Sequence, residues 1–428
     1  MLQLVNAGHK SLADYGSIVA RGLVDEIHRL AEPLRGKRVV HVSATAFGGG
    51  VAEINYTLVP LMADVGLDVE WRVIKGAEEF FNVTKAIHNG LQGDPRSLTP
   101  EEIEIFHRHN EENAELFPAD DYDFVIVHDP QPVAMIDHFP GRSAKWIWRG
   151  HIDFSTPNQD VFDVLLPSLC RYDAAIFHLR EYVPNVANLP ETFIWPPAID
   201  PLTPKNMALS REDAEYIVDQ FGIDVGRPLL TQVSRFDPWK DPLGVIDAYR
   251  LVKERHPGVQ LALVGSMAHD DPEGWEYYNN TVEYADGDPD IFILSNLNNV
   301  GAVEVNAFQV HSAATIQKSI KEGFGLTVSE ALWKARPMVA GRVGGIVTQI
   351  EDGVTGWLVD SAASCAEACC EILDDPAAAR ARATLGKEQV RRRFLTPRLL
   401  RDWLALFNVL SGDESARTEL VSVRSASS

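Results

Sequence analysis

Residues 321–330 read KEGFGLTVSE, a short glycine loop that leads into a run of helix-favouring residues. Its two glycines permit a tight turn and the close approach of a ligand to the backbone. A helix beginning near Leu326 would direct its unpaired N–H groups and its partial positive charge at the loop, which favours an anion there. Glu322 and Glu330 flank the turn, and carboxylates suit sugar hydroxyls better than phosphate. The stretch therefore favours a ligand with both groups, such as a nucleotide sugar.

Length and composition indicate an ordinary globular protein with two domains. The chain has 428 residues, of which 45% are hydrophobic and 23% are charged, and this length exceeds that of most single domains. The net charge of -22 argues against nucleic acid and against anionic membranes as partners. We find no signal-peptide pattern and no apolar run long enough to span a bilayer, so we expect a cytoplasmic protein. Three of the four cysteines lie in one short segment, which indicates small buried residues and no disulfide framework.

The first half opens with a strand, a glycine turn and a helix. Residues 37–43 form a buried-strand pattern, Gly48, Gly49 and Gly50 follow, and a helix is predicted over 51–63. The glycine spacing matches neither the dinucleotide fingerprint nor a P-loop. One interpretation is a tight turn between strand and helix; we favour a backbone that must approach a ligand.

Strands and helices continue to alternate through the first half. His151 and Asp153 follow the strand predicted at 145–149, and ligands of open α/β sheets bind at the carboxyl ends of strands. Residues 121–123 read Asp-Tyr-Asp but precede a strand, so we interpret them as a turn and not as a metal site. The other predicted elements are helices at 13–32, 80–91, 100–117 and 161–169, and strands at 68–74, 123–129 and 172–177; residues 193–199 form the last segment of this half.

A proline-rich stretch at 196–204 then interrupts the pattern, and a second α/β alternation begins. We predict domains at 1–203 and 204–395, a last helix at 396–412 and a flexible tail at 413–428. The predicted elements of the second half are strands at 229–233, 259–264, 291–294 and 337–341, and helices from 211, at 243–253 and at 376–393.

Arg235 and Lys240 follow the first strand of this second half, in a short loop held by two prolines. An arginine fork and a lysine charge suit phosphate, although a basic pair in a surface loop can also form exposed ion pairs. Gly265 follows the next strand and provides another close-approach turn. We therefore predict a phosphate site at this edge of the sheet.

Together these residues resemble the retaining glycosyltransferases of the GT-B fold, specifically glycosyltransferase family 4, over residues 35–410. Glu322 and Glu330 match that family's Glu-x7-Glu motif, Arg235 and Lys240 its phosphate ligands, and His151 its donor-sugar histidine. The resemblance implies an α/β protein with two Rossmann-like domains facing a central cleft. It also implies that the C-terminal helix packs back on the N-terminal domain.

The stretches 43–53, 79–85 and 148–153 resemble a narrower group, the trehalose glycosyltransferring synthases and trehalose phosphorylases. Gly150 and Lys321 depart from its pattern, where a more polar residue and an arginine are usual. The resemblance implies a retaining transfer of glucose from a nucleoside diphosphate glucose to glucose, giving α,α-trehalose. The alternatives are a phosphorylase, a transferase with another small sugar acceptor, and a non-catalytic nucleotide-sugar sensor, which would not need the cations Arg235 and Lys240.

The family's mechanism implies front-face attack, with the leaving phosphate taking the acceptor proton. His151, Arg235, Lys240 and Glu322 are the implied catalytic residues; the donor is UDP-, ADP-, GDP- or dTDP-glucose, with no metal or other cofactor. A homodimer is also implied. The implied donor-binding residues are Gly48, Gly49, Gly50, Asp153, Gly265, Gly323, Phe324, Gly325, Leu326 and Glu330, of which Glu330 would bind the ribose.

Overall fold

The computed structural model describes residues 1–186, 188–267 and 272–423. The chain divides into two units, one formed by Met1–Ala198 together with the residues from Thr396 onward, the other by Ile199–Leu395. Each unit has its own sheet and its own buried apolar core. The predicted α/β class with two Rossmann-like units is therefore confirmed.

The first unit surrounds an eight-stranded sheet of order β1-β3-β2-β4-β5-β6-β7-β14. Strands β2 to β7 run parallel, and the edge strands β1 and β14 pair antiparallel. In chain order its elements before the second unit are β1 (Gln3–Leu4), α1 (Arg21–Ala31), β2 (Arg38–Ser43), α2 (Gly49–Asp64), β3 (Asp68–Val73), α3 (Glu78–Leu91), α4 (Pro100–Glu115), β4 (Phe124–His128), β5 (Lys145–Arg149), α5 (Gln159–Leu169), β6 (Ala174–Phe177) and β7 (Glu191–Ile194).

The second unit contains a six-stranded parallel sheet of order β10-β9-β8-β11-β12-β13. Parallel strands covered on both faces are expected to be apolar throughout, and β9 is buried at every position. Its elements are α6 (Arg211–Asp219), β8 (Leu229–Val233), α7 (Pro242–Arg255), β9 (Gln260–Val264), α8 (Pro272–Tyr284), β10 (Ile291–Leu294), α9 (Ala302–His311), β11 (Ala314–Gln317), α10 (Leu326–Trp333), β12 (Met338–Gly341), β13 (Trp357–Val359), α11 (Ala362–Asp374) and α12 (Pro376–Arg393).

The chain then returns to the first unit through α13 (Thr396–Leu410), as the resemblance implied. Phe407 stacks on Phe124 of β4 with ring centroids 4.4 Å apart, and Asn408 donates a hydrogen bond to the carbonyl of Leu30. Arg398 is buried and donates to the carbonyls of Pro196 and Pro197 as well as to Asp402. These contacts make α13 a buried part of the first unit's core.

Two predictions for the ends of the chain are corrected. The helix predicted over 13–32 is a short 3-10 turn at Leu12–Tyr15 followed, after an interruption, by α1. The predicted flexible tail is ordered over its described part, because β14 (Ser422–Val423) pairs with β7 and Arg417 binds Glu191.

Three smaller features concern the helices, the cysteines and the turn before β4. No helix among the described residues combines the length and the apolar character needed to cross a membrane. All four cysteines are free thiols, and three of them are buried on α11. Asp123 accepts hydrogen bonds from the side chain of Lys37 and the backbone of Arg38, which agrees with a turn that leads into β4.

Candidate active site

Several of the predicted site residues follow strands at which the order of the sheet reverses. In the second unit the reversal falls between β8 and β11, and in the first unit between β2 and β4. At such a point the connections leave in opposite directions, which opens a crevice at the carboxyl ends of the two strands. Arg235 and Lys240 follow β8, and Glu322 follows β11. The topology therefore places these three residues beside one crevice of the second unit.

Lys240 and Glu322 form the central ion pair of this crevice. Lys240 Nζ lies 2.7 Å from Glu322 Oε2, and both side chains are largely shielded, with exposed fractions of 16% and 10%. Ser319 donates a second hydrogen bond to the same carboxylate oxygen. The backbone of Lys240 is held in turn by Gln232 of β8, whose amide donates to its carbonyl. The ammonium group is thus fixed at the strand end with its charge beside a carboxylate.

Arg235 is the more accessible cation. Its side chain is 61% exposed and pairs with Asp237 at 2.8 Å. Asp237 also accepts from the backbone N–H of Trp239 and so fixes the turn before Lys240. An exposed ion pair of this kind contributes little to stability, so the guanidinium can exchange Asp237 for an incoming anion at small cost.

The glycine loop is built as its sequence predicted. Gly325 has φ +81° at the start of α10, where an L side chain would be strained. Gly323 accepts a hydrogen bond from the N–H of Gly345, and the amide of Gln349 donates to the carbonyl of Phe324. Leu326 is the first residue of α10, so the N–H groups that have no partner within the helix point toward the loop.

Gly265, at the end of β9, has no space for a side chain. A Cβ there would lie 2.4 Å from the ring of Phe236 and 2.9 Å from the carbonyl oxygen of Ser234. The sequence predicted that a neighbouring group approaches the backbone closely at this glycine, and in the structure Phe236 and Ser234 do so. Donor contact by Gly265 stays a prediction.

Glu330 lies in a different environment from Glu322. Its side chain is buried on α10, and Oε1 lies 2.9 Å from Lys205 Nζ, although neither oxygen accepts a well-aligned hydrogen bond from the described residues. Burial lowers the pKa of the adjacent Lys334 to about 7, against the opposing effect of Glu330. Ribose binding by Glu330 stays a prediction, and it requires the carboxylate to be shared with Lys205 or released from it.

In the first unit, the glycine turn after β2 starts α2 directly. Gly48 and Gly49 have φ +68° and +74°, a region that L side chains rarely adopt. The helix begins at Gly49, earlier than the predicted Val51, so Gly50 already belongs to its first turn. Phe47, just before the turn, is 78% exposed. The N–H groups in the first turn of α2, which have no partner within the helix, therefore lie at this turn, as an anion site requires.

His151 and Asp153 follow β5, as predicted. Asp129 has φ +63° and accepts a hydrogen bond from the backbone N–H of His151 at 2.7 Å. Asp153 accepts from the N–H of Ser155. Burial raises the pKa of Asp129 to about 7, although the N–H of His151 and the charge of Arg149 lower it.

Side-chain packing explains why position 150 is a glycine in this chain. A Cβ at this position would lie 2.6 Å from the ring of Trp148 and 2.9 Å from that of Phe154. Both rings are buried, so neither can move aside easily. The departure from the family's pattern at this position therefore reflects aromatic packing beneath the His151 loop.

Two further histidines, His128 beside His151 and His41 beside His128, were not predicted from the sequence. His128, the last residue of β4, places its Nδ1 2.9 Å from His151 Nε2, and His41 of β2 places its Nδ1 2.9 Å from His128 Nε2. A small pocket, large enough for about one water molecule, opens beside His128 and His151. The sequence signal that could have revealed them is a histidine in the carboxyl half of β2 and another in the carboxyl half of β4. The pocket is lined by His128, Arg149, His151, Ile54, Leu58, Pro197, Leu399 and Trp403.

Burial keeps these imidazoles neutral. It lowers the pKa of His41 to about 3 and lowers the pKa of His128 and His151 well below the ordinary value. The charge of Arg149 lowers the latter two further, and burial lowers the pKa of Arg149 itself to about 9. The rings therefore act as hydrogen-bonding groups near neutral pH. No group of three or more potential metal ligands occurs within the described ranges.

Both halves of the chain match known family models. Residues 41–184 match the model of the trehalose synthase N-terminal domain, and residues 213–389 match that of glycosyl transferases group 1. Each match lies within one of the two units and contains the site residues that the sequence predicted for that unit.

Individual proteins agree with these models. The chain is 60% identical to the trehalose synthase of Rubrobacter xylanophilus, over 96% of this chain and 100% of that protein. It is 46% identical to the trehalose synthase of Pyrococcus horikoshii, over 95% of this chain and 98% of that one. The fold is similar to that of an α,α-trehalose-phosphate synthase (UDP-forming) from Burkholderia xenovorans, with a TM-score of 0.70, 16% identity and coverage of 88% and 100%. The chain belongs to the trehalose synthase family of GT-B glycosyltransferases.

Proposed function

We propose that the protein transfers glucose from a nucleoside diphosphate glucose to free glucose, with retention, and so forms α,α-trehalose. The observation that supports this most is the agreement between family and site. A chain related over its whole length to trehalose synthases also carries paired cations and carboxylates at the reversal point of its second sheet. A binding protein for nucleotide sugars would need the pocket but not these cations.

The second unit would bind the donor's diphosphate and activate its departure. The free N–H groups at the start of α10 would bind phosphate oxygens, and Gly323, Phe324, Gly325 and Leu326 would supply the loop. Arg235 and Lys240 would stabilise the charge that develops as the bond between C1 and the phosphate oxygen breaks. Glu322 would bind hydroxyls of the donor sugar, and Glu330 the ribose.

The first unit would orient the sugars. His151 would donate to or accept from a hydroxyl of the donor glucose, with Asp153 beside it. The turn at Gly48, Gly49 and Gly50 would provide backbone N–H groups close to the ligand. The acceptor hydroxyl would attack C1 from the face that the phosphate leaves, and its proton would pass to the leaving phosphate oxygen. The products are trehalose and the nucleoside diphosphate, so atoms and charge balance.

Product analysis with the purified protein tests this proposal. Glucose is incubated with UDP-, ADP-, GDP- or dTDP-glucose, or glucose 1-phosphate is supplied in place of the nucleotide. We expect a non-reducing disaccharide and one equivalent of nucleoside diphosphate from at least one nucleotide donor. Trehalose formed only from glucose 1-phosphate, with release of phosphate, would replace the proposal by a phosphorylase. Binding of nucleotide sugar without any product would indicate a sensor.

A matched pair of variants tests the assignment of the cations. Lys240→Met removes a predicted leaving-group charge, whereas Lys253→Met removes a lysine from a comparable ion pair with Asp288 at 2.9 Å. Lys253 lies near the end of α7, before β9 begins, and therefore away from the carboxyl edge of the sheet. Turnover lost in both variants would contradict a specific role for Lys240.

A further inference from the structure

Three imidazole rings stand in series in the first unit, and the proposed mechanism uses only the last of them. His41 and His128 have ring centroids 5.2 Å apart with an interplanar angle of 18°, and His128 and His151 have 5.2 Å and 26°. The two nitrogen–nitrogen distances are both 2.9 Å. The rings belong to β2, β4 and the loop after β5, which are neighbours in the sheet. The series is therefore held by the sheet itself.

Hydrogen bonding couples the tautomers of the three rings. A neutral imidazole carries one N–H donor and one acceptor nitrogen. Each contact needs one donor and one acceptor, and each contact joins an Nδ1 to the Nε2 of the next ring. All three rings must therefore carry their proton on the same type of nitrogen. If it is Nδ1 on His41, it is also Nδ1 on His128 and on His151.

The surroundings of His41, at the buried end of the series, indicate whether the three rings carry their protons on Nδ1 or on Nε2. His41 Nε2 is buried and has no hydrogen-bond partner among the described residues. An orphaned buried N–H is rarer in proteins than an under-used acceptor, so the bare nitrogen of His41 is Nε2 and its proton lies on Nδ1. His41 then donates to His128, and His128 donates to the Nε2 of His151.

We propose that His128 and His41 are positioning residues that hold His151 with its proton on Nδ1, the nitrogen left over for a hydroxyl oxygen of the donor sugar. His151 thus presents a donor, at a fixed ring angle, before the sugar arrives. This role rests on the proposed function of His151, but the tautomer itself does not. His128 acts through His151 and not on the sugar.

Nitrogen NMR tests the tautomer independently of activity. The protein is labelled with ¹⁵N in its histidine rings, long-range ¹H–¹⁵N spectra are recorded, and the His151 signals are assigned by their loss in His151→Gln. We expect a protonated Nδ1 and a bare Nε2 on His151, and the same on His128. A proton on Nε2 of His151 would overturn the proposal. Since no substrate is present, this result stands whether or not trehalose is formed.

Two variants of similar size at position 128 test the positioning role. Asn can still donate a hydrogen bond to His151 Nε2, whereas Leu cannot. We expect His128→Leu to give a mixed His151 tautomer and about 10- to 100-fold lower kcat, as for other residues that orient a functional side chain. His128→Asn should keep the Nδ1 proton and regain most of the lost kcat.

Equal loss of kcat in both variants, with the thermal midpoints unchanged, would mean that His128 has a merely structural role and would contradict the proposal. His107→Leu, on the exposed face of α4, serves as the control for loss of a histidine. If no nucleotide donor gives product even with the unmodified protein, the proposed function fails while the tautomer measurement remains interpretable.

Discussion

Replacing Lys240 by Met removes a charge but keeps most of the side chain's length. In the native protein the ammonium group lies 2.7 Å from Glu322 and is 16% exposed. Its proposed second partner is the leaving phosphate, whose charge grows in the transition state. The variant therefore separates two effects, one on the stability of the fold and one on the chemical step.

The expected loss in rate follows from the shielding of the site. Two unit charges about 4 Å apart interact by about 4 kcal/mol at an effective dielectric constant of about 20. Enzymes that lose one such transition-state donor lose about 3–4 kcal/mol, or about 10²–10³-fold in kcat. The two values agree, so we expect kcat of Lys240→Met to fall by about 10²–10³-fold.

The assay measures nucleoside diphosphate release at saturating donor and glucose. Lys253→Met is the control, and thermal midpoints confirm that each variant is folded. The double variant Lys240→Met with Glu322→Gln also removes the carboxylate charge that Lys240 balances in the native protein, so it should regain stability without regaining kcat. An unchanged kcat in folded Lys240→Met would refute the assignment of Lys240 to the leaving group.

Three further predictions concern the first unit. Gly150→Ala should lower stability by about 1–3 kcal/mol, because its Cβ meets two buried rings; the thermal midpoint checks this, with Gly141→Ala, which has open space, as the control. Burial raises the pKa of Asp129 from 3.8 to about 7, so the stability given by its protonated form is lost as pH rises through about 7. Thermal midpoints on either side of that pH should show the native protein losing stability relative to Asp129→Asn. Arg398→Met removes a hydrogen-bond donor from the buried Asp402 carboxylate and from the carbonyls of Pro196 and Pro197; because Arg401 still pairs with Asp402 at 2.7 Å, the variant should cost about 1–3 kcal/mol in urea unfolding.

The sequence predicted best those elements with a strong period or clear end signals. The predicted strands at 145–149, 229–233 and 291–294 and the helix at 376–393 have the observed bounds. By contrast, α9 and β11 were not predicted. Helix α9 is largely buried over its second half, where polar and apolar residues do not separate onto two faces, so its sequence shows no helical periodicity. Strand β11 has only four residues. Tertiary packing, and not local pattern, defines these two elements.

The candidate site was predicted in part, for a related reason. Glycine turns and charged residues at strand ends carry local signals, and the structure places Lys240 and Glu322 after two neighbouring strands, where they form an ion pair that the sequence did not predict. The contact between Glu330 and Lys205 joins residues far apart in sequence, which no local pattern reveals. His41 and His128 were missed because a histidine inside a buried strand looks like an ordinary core position. Only the strand order brings them to His151.

The anomeric outcome of a single labelled turnover is the sharpest test of the proposed retaining transfer of glucose. The donor is nucleoside diphosphate glucose carrying ¹³C at C1, the acceptor is unlabelled glucose, and the disaccharide is examined by NMR. With a retaining transfer, we expect the labelled carbon to appear in an α,α-linkage, with one nucleoside diphosphate released for each disaccharide. A β-linked labelled carbon, or a disaccharide formed without release of nucleoside diphosphate, would contradict it.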